Sequence, residues 1–281
     1  MVNKTNRSAS KQTIEWAQIA VDKIIVANSE RGWLYLPQSS DDRFAHPMDC
    51  TGSIATTKKL LDTAIAAAKV AVGSNSRPPA LTATRWVWRL AGAYHMTSTV
   101  PRLLKDAAIG FAGNGRSNLK TWALEKVEEE TGHDRLALLD IQSLGYDAEA
   151  VVKELVPPAA IALMDYFTRS VQADNPIDSV GYTYTMERLS LGIEGDYIQK
   201  VEALLPPEIN ATRCLRVHSA VGADADHVDE NVALIAGLLP QERTRIARAC
   251  YETALMLFSP PLGGYISDKK LLQVLEPLKL G

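Results

Sequence analysis

Helical periodicity runs through this chain almost from end to end, and nowhere do several Val-, Ile- and Thr-rich alternating runs recur at the spacing a sheet requires. That pattern restricts the fold to an all-α architecture in which amphipathic helices bury their apolar stripes against one another. The spacing predicts helices over 12–27, 56–72, 81–94, 99–111, 148–155, 158–172, 241–258 and two longer ones, 175–205 and 215–239. Another long helix starts from an N-cap at Ser117 or Asn118 and ends near Leu144-Gly145. A loop is expected through Gly32, Pro37 and the Asp41-Asp42 pair to Pro47. No internal repeat or long linker interrupts 1–281, so the reading is one all-helical domain. Its main bundle covers about 81–258, with an N-terminal helical extension over 1–75 and a tail over 259–281 that packs on the outside.

Within the helix expected to end near Leu144, Glu130 stands three residues before His133. Three residues turn a helix by about 300°, so both side chains leave nearly one face, one turn apart. Asp224 and His227 repeat the spacing near the other end of the chain. Carboxylate-x-x-His pairs on separate helices are how helical bundles build paired metal sites. The chain has 5 histidines and 33 acidic residues, so two such pairs arise by accident roughly one time in ten. An ordinary surface pair of this kind is worth only about 0.2–0.5 kcal/mol. The company the residues keep therefore matters.

Glu187 lies among Tyr182, Tyr184, Met186 and Leu189, large side chains that turn part of its helix inward. A buried carboxylate needs a counter-charge, and a metal supplies one. Glu194, seven residues on, competes for the role. His218 precedes Asp224 by six residues and His227 by nine, offsets that rotate it away from both on an unbroken helix. It joins them only if the helix is bulged or broken, and Gly222 is the natural place.

Composition excludes several function classes. A net charge of −3 offers no basic footprint for nucleic acid. No stretch reaches the length of a membrane span, and residues 1–11 lack the apolar core of a signal peptide, which gives the expectation of a cytoplasmic protein. Cys50, Cys214 and Cys250 are odd in number and far apart, so buried free thiols are expected rather than disulfides or a zinc knuckle.

The string Glu129-Glu130-Thr131-Gly132-His133, followed by Leu136, Asp140, Ile141 and Leu144-Gly145, resembles the first metal-binding helix of the heme-oxygenase-like di-iron oxidases, also called iron-containing redox enzymes. Gly181-Tyr182 through Glu187 resembles the helix that gives their bridging Glu, and His218 through His227 their third metal-binding helix. The resemblance covers roughly 81–258. It implies a heme-oxygenase-like bundle without heme, also shared by thiaminase-like (TenA-like) and quinone-cofactor-synthase proteins. It further implies a non-heme site of two Fe ions ligated by Glu130, His133, Glu187, His218, Asp224 and His227. Dioxygen would be co-substrate for the N-oxygenation, desaturation, decarboxylation or carbon–carbon cleavage of an amino acid, amine or fatty acid, often in a natural-product pathway. Two departures stand out: many members carry a Glu seven residues before the His, where this chain has Lys126, and many have a His four residues before the Asp, where it has Ala220. A ligand shortfall of this kind leaves the second iron weakly bound.

Asp140 and Tyr184 are candidates to orient the histidines, and Arg188, Arg213 and Arg216 lie near enough to the motifs to meet a substrate carboxylate. A small-molecule substrate is the expected partner, and an external electron donor and a homodimer are compatible with the chain. Two other readings stay open. One is a metal-free enzyme of the same fold, disfavoured as a thiaminase because no cysteine is near the motifs by sequence. The other is a non-catalytic helical binding protein whose acids and histidines satisfy one another.

Overall fold

The computed structural model describes residues 13–37, 44, 48–73, 77–220 and 224–281, without the side chains of 224–226. Most of the expected 37–47 loop, residues 74–76 between the helices expected over 56–72 and 81–94, and Gly222 lie outside the described residues.

The chain opens with a sheet where a helix was expected. Strands β1 (Glu15–Ala20), β2 (Lys23–Ala27) and β3 (Gly32–Tyr35) form an antiparallel meander, with Ala17 opposite Ile25 and Val26 opposite Trp33. The physical reason is visible in β1: Glu15, Ala17 and Ile19 are buried and alternate with less buried neighbours, a period of two, and the Ile/Val-rich β2 suits a pleated surface. Short apolar runs satisfy both periods, and here pairing across the Val21-Asp22 turn decides.

Thirteen helices follow among the described residues. They are α1 (Ile54–Val72), α2 (Ala83–Thr97), α3 (Val100–Gly113), α4 (Ser117–Glu130), α5 (His133–Ser143), α6 (Ala148–Glu154) and α7 (Pro158–Gln172). After them come α8 (Asp178–Ser190), α9 (Gly195–Glu202), α10 (Arg213–Val217), α11 (Asp224–Ala236), α12 (Pro240–Phe258) and α13 (Asp268–Leu275). The fold is thus helical as expected, with the small sheet added. No helix among the described residues is long and apolar enough to cross a membrane.

Three long helices expected from the periodicity are broken, and the breaks shape the site. Thr131-Gly132 separates α4 from α5, with Gly132 at φ +93°, a left-handed conformation that residues with a Cβ resist. Gly192 lies in the turn between α8 and α9, and α10 stops at Val217 before α11 begins at Asp224. Pro101 sits in the first turn of α3, where its missing N–H costs nothing, so it starts that helix rather than bending it.

Packing gathers these elements around two apolar clusters. The larger joins the sheet, α1, α3, α4, α7, α8, α11 and α12, with Leu60, Leu104, Phe111, Phe167 and Ile246 fully buried. α12 is its axis, lying against α1, α7, α8 and β1. At Gly181 of α8 a Cβ would come within 2.6 Å of the Ile246 carbonyl, so only glycine lets α8 approach α12 this closely. The smaller cluster joins α2, α5, α6, α9, α10 and α13 around Trp86, Leu90 and Ile141. The tail closes that cluster by inserting Leu271 and Leu275. Charge ties the sheet to the bundle: Glu15 on β1 is 0% exposed and meets Arg243 of α12, itself 1% exposed, at 3.3 Å, while accepting a hydrogen bond from the Thr57 hydroxyl at 2.9 Å.

Candidate metal centre

The seam between the two clusters holds a half-open cavity of about 860 Å³. Its walls are mostly apolar, with Trp86 and Leu90 from one cluster facing Leu104 and Met186 from the other, and Phe258 beside them. Acids and histidines interrupt this lining in one place.

There the break at Gly132 brings two helix ends together. Glu130 is the last residue of α4 and His133 the first of α5, and His133 Nδ1 lies 3.2 Å from Glu130 Oε2. His218 terminates α10, with its ring 4.7 Å from that of His133 and inclined at 82°. One ligand atom from each of Glu130, His133 and His218 falls within 4.8 Å of the others. A first-row divalent ion with bonds of roughly 2.1 Å separates its ligands by roughly 3–4 Å, so the three groups fit around one ion with small adjustment. Burial alone would raise the Glu130 carboxyl, but the His133 hydrogen bond and the charges of His218, His133 and Lys126 outweigh it and hold the acid below its ordinary range. It is therefore anionic, as a carboxylate that holds a metal must be. Two imidazoles and one carboxylate, with coordination positions left over, are the donor set of non-heme Fe(II) sites that react with oxygen.

Asp140 connects the two histidine-bearing helices. It lies on α5, is fully buried, and accepts hydrogen bonds from the Arg213 and Cys214 backbone N–H groups at 3.2 and 2.9 Å and from Arg213 Nη1 at 3.0 Å. Those N–H groups open α10 and have no partner inside it, so the carboxylate satisfies them and fixes the helix that carries His218. Asp140 thus positions a histidine through the backbone rather than through the imidazole.

A second polar group abuts the first. Lys126, one turn before Glu130 on α4, is 3% exposed; its Nζ lies 2.6 Å from Glu129 Oε2 and 2.9 Å from Glu187 Oε1. The other Glu187 oxygen accepts from Asn231 Nδ2, and Asn231 Oδ1 accepts from Trp122 Nε1 at 2.6 Å. His227 Nδ1 stands 3.4 Å from Glu129 Oε2. Burial pushes the Glu187 carboxyl up to about 7, opposed by Lys126 and reinforced by Glu129 and Glu130. Burial disfavours the Lys126 ammonium, but the two carboxylates on it outweigh that and keep it above its usual range.

Of the six residues expected as ligands, the structure brings Glu130, His133 and His218 together. The broken helix that His218 needed is present between Val217 and Asp224. Glu187 and His227 line the same cavity but are bonded within the Lys126 group. Asp224 opens α11, and its side chain lies outside the described residues. Glu194 is an exposed residue at the start of α9.

Tyr184 does not orient a histidine: its hydroxyl donates to Asp62 of α1 at 2.9 Å, and Arg188 pairs with the same carboxylate, so both serve packing of α8 on α1. Arg213 is engaged by Asp140 and Arg216 by Glu202. Contrary to the expectation that no cysteine is near the motifs, Cys214 stands four residues before His218 and lines the cavity; burial pushes its thiol up to about 12, which makes it a poor nucleophile. Cys50, Cys214 and Cys250 are all free.

Lys126, Asn231 and Trp122 are the contributors that sequence reasoning missed. A signal existed for Lys126, which falls in the buried stripe of α4 formed by Leu119, Trp122, Ala123 and Val127.

The profile of a family described as iron-containing redox enzyme matches residues 87–258. Among solved structures, a domain of unknown function with a heme oxygenase-like fold from Shewanella denitrificans OS217 is similar at 22% identity, with a TM-score of 0.58, over 76% of this chain and 90% of that one. A TenA homolog from Pseudomonas syringae pv. tomato DC3000 is similar at 12% identity, with a TM-score of 0.50, over 76% of this chain and 98% of that one. No curated protein matches the chain. At these identities the two structures speak for the fold alone.

Proposed function

The chain belongs to the family of iron-containing redox enzymes, and on that premise we propose that it is a dioxygen-dependent oxidase of a small, largely apolar molecule bound in the seam cavity. The observation that carries this reading is the convergence of Glu130, His133 and His218 on the wall of that cavity. Iron held by these three would supply the redox chemistry that couples dioxygen to oxidation of the substrate. The protein's own residues do the rest. Glu130 gives the anionic ligand, Asp140 holds the His218 segment in register, and the Trp86, Leu90 and Met186 walls take the hydrocarbon body and exclude water. A cavity of about 860 Å³ suits an amine, amino acid or fatty acid with an extended apolar part. Electrons beyond those the substrate yields come from an external donor.

The test is anaerobic loading with Fe(II), followed by oxygen in the presence of amines, amino acids and fatty acids of graded chain length. The reading expects at least one series to accelerate oxygen consumption and to perturb the iron spectrum before oxygen is added. Iron uptake unchanged by His133→Ala and Glu130→Ala, or oxygen consumption indifferent to every series, contradicts it.

A further inference from the structure

We propose that the Lys126 ammonium is a built-in cation occupying the place of a second metal, so that the chain binds one iron, at Glu130, His133 and His218, and not a pair. This rests on the iron reading above and specifies its stoichiometry. Lys126 lies on the buried face of α4 at 3% exposure, where a lysine survives only if its charge is matched. Its match is two carboxylates, Glu129 and Glu187, at 2.6 and 2.9 Å from Nζ.

Those are the oxygens a second ion would need. Glu187 is the inward carboxylate of α8 and lines the same cavity as the Glu130 cluster, and Glu129 Oε2 also lies 3.4 Å from His227 Nδ1. An ion bonded to them at roughly 2.1 Å would have to lie within the space the ammonium fills at hydrogen-bond distance. The remaining Glu187 oxygen accepts from Asn231, which Trp122 fixes in turn, so both oxygens of the carboxylate are already engaged. A divalent ion beside this buried ammonium, whose carboxylate partners among the described residues are Glu129 and Glu187, is strongly repelled where the surroundings screen poorly. The lysine stem lies in the buried stripe of α4.

The decisive quantity is the number of irons retained by the folded protein after anaerobic incubation with excess Fe(II) and desalting. Wild type should hold one per chain. Lys126→Glu, which puts a carboxylate where the ammonium stood, should double that to two, and Lys126→Met, which keeps the stem but deletes the charge, should raise it above one; circular dichroism confirms that each variant is folded. Manganese(II) loading gives a second readout, with an uncoupled single-ion magnetic resonance spectrum expected for wild type. Two irons in wild type overturn the proposal and leave the iron reading standing. None in folded wild type overturns both. Variants that fold and remain at one show that the lysine is not what excludes the second ion.

Discussion

Glu130 and His133 belong to different helices, yet Nδ1 of one lies 3.2 Å from Oε2 of the other because Gly132 turns the chain between them. On a continuous helix the pair would share one rigid face. Here His133 instead moves with α5, whose Asp140 is bonded to the start of α10, so the two histidines are linked through one helix and one carboxylate.

Replacing Asp140 should therefore weaken metal binding without touching a ligand. Asp140→Asn loses its charge-assisted bonds to the Arg213 and Cys214 N–H groups, and is expected to cost about 2 kcal/mol of stability and on the order of tenfold or more in Fe(II) affinity. Chemical denaturation and an anaerobic iron titration check the two effects. Unchanged iron affinity in a destabilised variant would show that α10 is held by other contacts.

Protonation of Glu187 gives a pH signature. Its carboxyl titrates near 7 in the folded chain, raised by burial, against 4.5 as the ordinary value. Between those values the folded state holds a proton the unfolded state has lost, so stability of the metal-free protein falls as pH rises from about 4.5 to 7 and then levels. The contribution lost is about 3 kcal/mol. Glu187→Gln removes this component, and denaturation midpoints of the two proteins across pH 5–8 should diverge in that direction. Parallel profiles would contradict it.

Cavity shape should set substrate length. Ala93 lines the cavity, and Ala93→Phe is expected to shorten the optimal substrate chain while leaving iron content unchanged. Oxygen uptake across a homologous series reads the first effect and metal analysis the second. An unaltered length preference would place the substrate elsewhere.

Arg243 should prove structural. Arg243→Met strips the buried Glu15 carboxylate of its counter-charge, a loss of about 3–5 kcal/mol for a pair this enclosed. Thermal denaturation of the iron-free protein measures it. A cost below about 1 kcal/mol would mean the sheet is not held to α12 through this pair.

How much of this was legible beforehand depended on whether a residue's role was written into local spacing. Glu130 and His133 could be read because three residues is a helix spacing, and their proximity survives the break at Gly132. The break itself could not, since apolar periodicity continues from Val127 to Leu136 and Ile141 across it. His218 was legible only conditionally, because its geometry depends on where α10 ends. The β1–β2 hairpin reads from sequence as a helix because a short apolar run such as Ile24-Ile25-Val26 does not distinguish the two periods, and the choice is made by pairing and by the distant Arg243. Lys126 was overlooked as a contributor for a different reason. A lysine on a helix is ordinarily solvated; this one falls in the buried stripe of α4, and the carboxylate that matches its charge there comes from the distant Glu187 of α8, itself held by Asn231 of α11.

The most direct measurement is a crystal structure of the protein grown anaerobically with Fe(II), with anomalous scattering recorded on both sides of the iron absorption edge. The account predicts an iron peak bounded by the Glu130 carboxylate and the His133 and His218 imidazoles, opening onto the seam cavity. Iron bound away from these three side chains, or no iron in a crystal whose protein is otherwise folded as described, would contradict it.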